Sequence, residues 1–115
     1  MFMLRWSYLC LRILLEPSAP PNDIISDEIT SETLALHWSK PPCRTRNGEI
    51  VRYEYEFVLT NGAYTISSGE TVSKELTFED LIPFTTYSFR VAAFTSAGRG
   101  NWSDLVSIPT KGAGT

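Results

Sequence analysis

Leu81-Ile82-Pro83-Phe84-Thr85-Thr86-Tyr87-Ser88-Phe89-Arg90-Val91-Ala92-Ala93 decides the fold of this chain. Leu81 and Pro83 close one element, because proline has no N–H to give to a sheet ladder and its φ is fixed. From Tyr87 onward, Tyr87, Phe89, Val91 and Ala93 recur at every second position and alternate with Ser88, Arg90 and Ala92. That period belongs to a half-buried strand. The first inward residue of this strand is a tyrosine that directly follows a turn.

Working outward, the same alternation predicts strands over 22–28, 33–38, 50–60, 63–67, 75–78, 86–96 and 102–108. In the second, Leu34, Leu36 and Trp38 face inward while Ala35 and His37 face out. In the third, Tyr53, Tyr55 and Phe57 face inward while Glu54, Glu56 and Val58 face out. Asn61-Gly62 is the strongest hairpin signal in the chain. No helical period occurs after residue 16. The expected fold is therefore all-β, a seven-stranded antiparallel Greek-key sandwich. One sheet takes strands 22–28, 33–38 and 75–78, and the other takes the remaining four. The predicted core centres on Leu36, Trp38, Tyr53, Leu81, Tyr87, Phe89 and Val91.

One hundred and fifteen residues fit one domain, large enough to bury roughly 60–70% of its unfolded surface. The net charge of −3 argues against a dedicated nucleic-acid binder. Two cysteines, Cys10 and Cys43, make no disulfide framework, and Cys43 reads as a free loop thiol or as half of an intermolecular bond. No apolar run reaches the roughly 18 residues of a membrane span. Met1 to Glu16 is apolar with Arg5 and Arg12 interrupting it, and three readings fit. It is a secretory leader, an amphipathic helix with both arginines on one face, or a fragment boundary. Residues 17–110 form the domain, opened by the extended connector Pro17-Ser18-Ala19-Pro20-Pro21, and 111–115 read as a linker or cut end.

The corner at Tyr87 resembles the tyrosine corner of Greek-key sandwiches, in which the hydroxyl bonds to backbone a few residues upstream. Leu81, Pro83, Thr85 and Tyr87, with Val91 and Ala93, resemble the hallmark of fibronectin type III domains. Trp38 before Pro41-Pro42 is similar to the family's core tryptophan. Asn47-Gly48-Glu49-Ile50 and Tyr53 resemble the start of its third strand. Gly98, Gly100, Ser103 and Thr110 resemble its last turn and strand. The resemblance covers residues 18–110 and is nearest to ectodomain repeats of receptor-type tyrosine phosphatases and neural adhesion receptors. It implies an immunoglobulin-like sandwich without catalysis or cofactor, placed outside the cell, that binds protein and sets spacing between neighbouring domains.

The residues themselves offer no catalytic constellation. His37, the only histidine, has no ligand-spaced Cys, Asp or Glu nearby in sequence. Glu54 and Glu56 share a solvated face. Arg99-Gly100-Asn101 departs from Arg-Gly-Asp, because an amide cannot supply the anionic oxygen that a bound metal ion requires. Integrin binding through that motif is rejected. Asn101-Trp102-Ser103 is an acceptor pattern for a glycan on Asn101. The candidate interface residues are Arg44 and Arg46 in the loop after Trp38, Arg90 and Phe94 on the outward face of their strand, Arg99, and Trp102. Arg90 over Trp102 would be a cation–π contact. The expected partner is a protein. A passive spacer in the ectodomain of a receptor phosphatase and an intracellular repeat of muscle type are the competing readings.

Overall fold

The computed structural model describes residues 15–59 and 65–112. The expected Asn61-Gly62 turn and Met1 to Leu14 lie outside these. The described strands are β1 (Asn22–Ile29), β2 (Leu34–Ser39), β3 (Arg52–Leu59), β4 (Thr65–Thr71), β5 (Glu75–Phe78), β6 (Thr86–Thr95), β7 (Gly98–Arg99) and β8 (Val106–Pro109), with a single-turn helix α1 (Cys43–Arg46). One sheet has the order β1-β2-β5. The other has the order β4-β3-β6-β7, with β8 also paired to β6. All pairings are antiparallel. This is the expected two-sheet sandwich with the expected division of strands.

Aromatic side chains fill the space between the sheets. Phe57 of β3 stacks on Phe78 of β5 with ring centroids 4.0 Å apart and on Tyr87 at 5.0 Å. Trp38 of β2 meets Tyr53 edge-on at 5.5 Å and Phe89 at 5.5 Å. Leu36, Trp38, Tyr53, Leu81, Tyr87, Phe89 and Val91 are all buried, and Leu34, Phe57 and Phe78 join them. Each buries a large apolar area, so these aromatic and aliphatic side chains together supply the hydrophobic stabilisation of the core.

Bulges account for most departures from strict alternation. The last strand does not run from 102 to 108. Phe89 pairs with Val106, Val91 with Ser103 and Ala93 with Gly100. At each step two residues along β6 face three on its partner, so the returning chain carries two bulges. They break the final strand into β7 and β8 and reset its phase. An extra residue in β1 likewise lies between Ser26 and Glu28. On the outer face, Val58, Ser88 and Ala92 are buried despite their outward phase. Val58 and Ser88 are direct cross-strand partners, and Ser88 Oγ lies 3.4 Å from Ser107 Oγ. The row is packed by neighbouring strands rather than by solvent.

The helix α1 was not expected. Pro41-Pro42 cannot pair in a sheet, and Asn47 adopts the left-handed conformation (φ 57°) that ends a helical turn. The strand after the hairpin extends over Thr65–Thr71 rather than stopping at Ser67.

Candidate functional site

The outer face of the larger sheet gathers most of the chemistry. Glu56 of β3 and Arg90 of β6 are direct cross-strand partners, and Arg90 Nε donates to Glu56 Oε1 at 2.7 Å. One step along, Arg99 of β7 reaches Glu54 at 3.3 Å. At the end of the row Arg52 meets Glu70 at 2.9 Å. The three arginines also lie over aromatic rings: Arg52 over Phe94 at 4.2 Å, Arg90 over Trp102 at 4.3 Å and Arg99 over Trp102 at 4.9 Å. Sequence alternation placed Arg90, Phe94 and the two glutamates on this face, and the same period of two carries Arg52 with the glutamates. It did not place Arg99 there, because the contact of Arg99 with Trp102 depends on the bulges that turn Trp102 toward β6.

Each pair is a third to a half exposed, so each ion pair contributes about 0–1 kcal/mol. The row holds as many carboxylates as guanidiniums, and its charge is balanced within the chain. It is a rigid polar and aromatic surface with no acid–base pair of separated function. Among the described residues no group of three His, Cys, Asp or Glu is placed to hold a metal ion.

Arg44 and Arg46 sit apart from this face, on α1. Arg44 is exposed, whereas Arg46 Nε donates to the Pro41 carbonyl at 2.8 Å. Arg46 also faces Tyr53, whose phenol burial pushes up to about 12 while the guanidinium pulls the other way. Asn101 is exposed, and its amide donates to the Ser18 carbonyl at 3.4 Å. Its sequon partner Ser103 is buried, with the hydroxyl accepting from the Val91 amide at 3.0 Å.

The fold brings to His37 a carboxylate that its sequence neighbours do not offer: its Nδ1 lies 2.7 Å from Asp27 Oδ2 across β1 and β2. Asp27 occupies the β1 bulge, which sequence spacing could not place. Cys43 is not a free thiol, for it is disulfide-bonded.

The fibronectin type III domain family model matches residues 18–108. The mouse cell adhesion molecule DSCAML1 is 34% identical over 98 residues, which cover 83% of this chain and 5% of that protein. The zebrafish receptor-type tyrosine-protein phosphatase F is 33% identical over 98 residues, covering 82% and 5% respectively. The chain thus spans about a twentieth of these relatives. Among solved structures, titin domains A168–A170 align with a TM-score of 0.69 at 24% identity, over 84% of this chain and 32% of that one, a likeness of fold alone. The Ile82 amide donates to the Tyr87 hydroxyl at 2.9 Å, closing a tyrosine corner. The sandwich, this corner and the family match together place this chain in the fibronectin type III family, whose domain is itself non-catalytic.

Proposed function

We propose that the domain is a recognition module of a larger cell-surface receptor and that it contacts a protein partner through the Arg90–Trp102–Arg99 face. The observation that carries this reading is the clustering of two guanidiniums over one partly exposed tryptophan on a rigid sheet. Tryptophan and arginine are the residues most enriched at interface hot spots. Similarity to an adhesion molecule and a receptor phosphatase supports a cell-surface setting. The disulfide at Cys43 supports an oxidising compartment over the cytosol, and so weighs against the muscle-type reading.

The balanced charge of the face favours a second reading, a spacer whose arginines serve the fold. A multivalent display of the domain, screened against an array of ectodomains, separates the two. A binder lost on Trp102→Ala, in a variant that still melts cooperatively, supports recognition. A screen with no binder, or a binder indifferent to Trp102, overturns this face as the contact surface and leaves the spacer.

A further inference from the structure

The segment between β7 and β8 carries the one acceptor triplet for an N-linked glycan in the chain, Asn101-Trp102-Ser103. Its three side chains diverge. Trp102 lies against Arg90 and Arg99 on the outer face of the sheet. Asn101 is exposed and turns the other way, toward one pole of the sandwich, where Nδ2 donates to the Ser18 carbonyl at 3.4 Å. The connector is fixed at that pole. The Ser18 N–H donates to the Thr45 carbonyl at 2.8 Å, and just before it the Leu15 N–H donates to the Asn47 carbonyl at 2.8 Å. The Leu15 carbonyl accepts from Thr95 Oγ1 at 2.6 Å. A Cβ on Gly100 would stand 2.4 Å from the Pro17 carbonyl oxygen, so only glycine admits the connector beside Asn101. An open groove of about 480 Å³, lined by Pro17, Ser18, Asn47, Arg99 and Asn101, leaves room there for a polar group. An amide nitrogen carries two hydrogens. A substituent on Asn101 Nδ2 replaces one and leaves the other for Ser18.

Ser103 is the opposite case. It is buried, its N–H donates to the Val91 carbonyl at 2.9 Å, and its Oγ accepts from the Val91 N–H at 3.0 Å. The same hydroxyl donates to the Asp104 carbonyl at 3.1 Å. In the folded domain the hydroxyl that completes the acceptor triplet is therefore committed to backbone.

We propose that Asn101 is an N-glycosylation site, modified before the sandwich closes, and that its glycan projects along Pro17–Ser18, away from the Arg90–Trp102–Arg99 face. The proposal rests on the cell-surface reading above, which places the chain in the secretory pathway. The donor is an oligosaccharide carried on a lipid diphosphate. Asn101 Nδ2 bonds to the anomeric carbon of the first sugar and loses one proton. The bond from that carbon to the diphosphate oxygen breaks, and the lipid diphosphate leaves with the electron pair. The order of synthesis leaves time for this step. β8, which completes the sheet on β6, ends only at Pro109, after the triplet has been made. Chains grow at about 5–20 residues per second, and all-β sandwiches fold in about milliseconds to seconds. Transfer and closure thus compete on similar timescales, and occupancy is incomplete.

The test expresses the full chain behind an added cleavable signal peptide in eukaryotic cells. Translocated chain, secreted or retained, is expected to gain the mass of one oligosaccharide on part of the population. Glycosidase should reverse the gain and leave aspartate at position 101, and Asn101→Gln should abolish it. Amide exchange at Ser18 is expected to be slower in the glycosylated form than in Asn101→Gln, with β6 unchanged. Solubilised oligosaccharyltransferase with a lipid-linked donor is expected to modify a peptide of residues 97–107. It should modify the folded domain at least about tenfold more slowly. Translocated chain with no glycan on Asn101, a folded domain modified as fast as the peptide, or a glycan that alters exchange along β6 rather than at Ser18 would each overturn the proposal. Because the signal peptide is supplied, such a failure is distinct from failure of the cell-surface reading, which the ectodomain screen tests.

Discussion

The Tyr87 hydroxyl accepts the Ile82 amide at 2.9 Å, five residues upstream. The ring is buried between the sheets, stacked on Phe57, while the Ile82 carbonyl accepts from Thr110 Oγ1 at 2.7 Å. The corner is thus clamped on both its N–H and its C=O, by one residue of β6 and one just past β8. Two residues on, Phe84 sits in the left-handed region at φ 56°, a conformation that costs a bulky residue energy, and its amide donates to the Lys111 carbonyl at 3.1 Å.

Tyr87→Phe keeps the stack and removes the acceptor, leaving the Ile82 amide unpaired. A loss of about 1–3 kcal/mol is expected in urea melts. Thr110→Val is expected to cost about 1–2 kcal/mol, since it removes the bond to Ile82 and the one from the Thr85 amide. The two losses should not add, because both act on one turn. A melt of Tyr87→Phe that matches the parent would show that the corner hydrogen bond contributes nothing.

Phe57 joins the two sheets, stacking on Phe78 from the opposite layer and on Tyr87 from its own. It is fully buried. Phe57→Ala should cost about 3–5 kcal/mol through lost transfer energy and the cavity left behind. Phe57→Leu should recover more than half of that, and equilibrium unfolding of both variants checks the ordering.

On the outer face, Arg90 and Trp102 should couple by about 0.5–1 kcal/mol in a double-mutant cycle. Arg90→Met keeps the aliphatic stem over the ring and removes the charge, so its effect should shrink as salt rises. A coupling energy of zero at low salt would make the 4.3 Å contact an energetic bystander.

Tyr53 predicts an alkaline limit. Burial raises its phenol from 10.0 to about 12 in the folded state, with Arg46 opposing. The folded form therefore holds its proton more tightly than the unfolded chain. This contribution is fully present below pH 10 and is lost as pH climbs toward about 12. Stability should fall by about 3 kcal/mol across that window, and Tyr53→Phe should flatten this part of the profile. Phenolate absorbance during a pH titration, compared with the same variant, checks the assignment.

The period of two between Tyr87 and Ala93, the proline that ends the preceding element, and the spaced aromatics Trp38, Tyr53 and Phe57 were enough to fix the sandwich and its core. Each expresses a local rule: side chains alternate along a strand, and apolar faces must be covered. Arg90 and Phe94 were legible as outward for the same reason. Tertiary structure alone decided the rest. The expected contact of Arg90 with Trp102 is present, but a bulge inserts one residue without a composition signal, and the two that reset the chain after Arg99 bring the same ring under Arg99 as well. A third put Asp27 beside His37. Leu15 and Cys43 belong to the pole because Thr45, Asn47, Thr95 and Gly100 converge there from distant parts of the sequence. Alternation is periodic and local, so it can be read along the chain. Bulge placement and the contacts at this pole depend on which strands lie side by side, and only the folded chain brings those residues together.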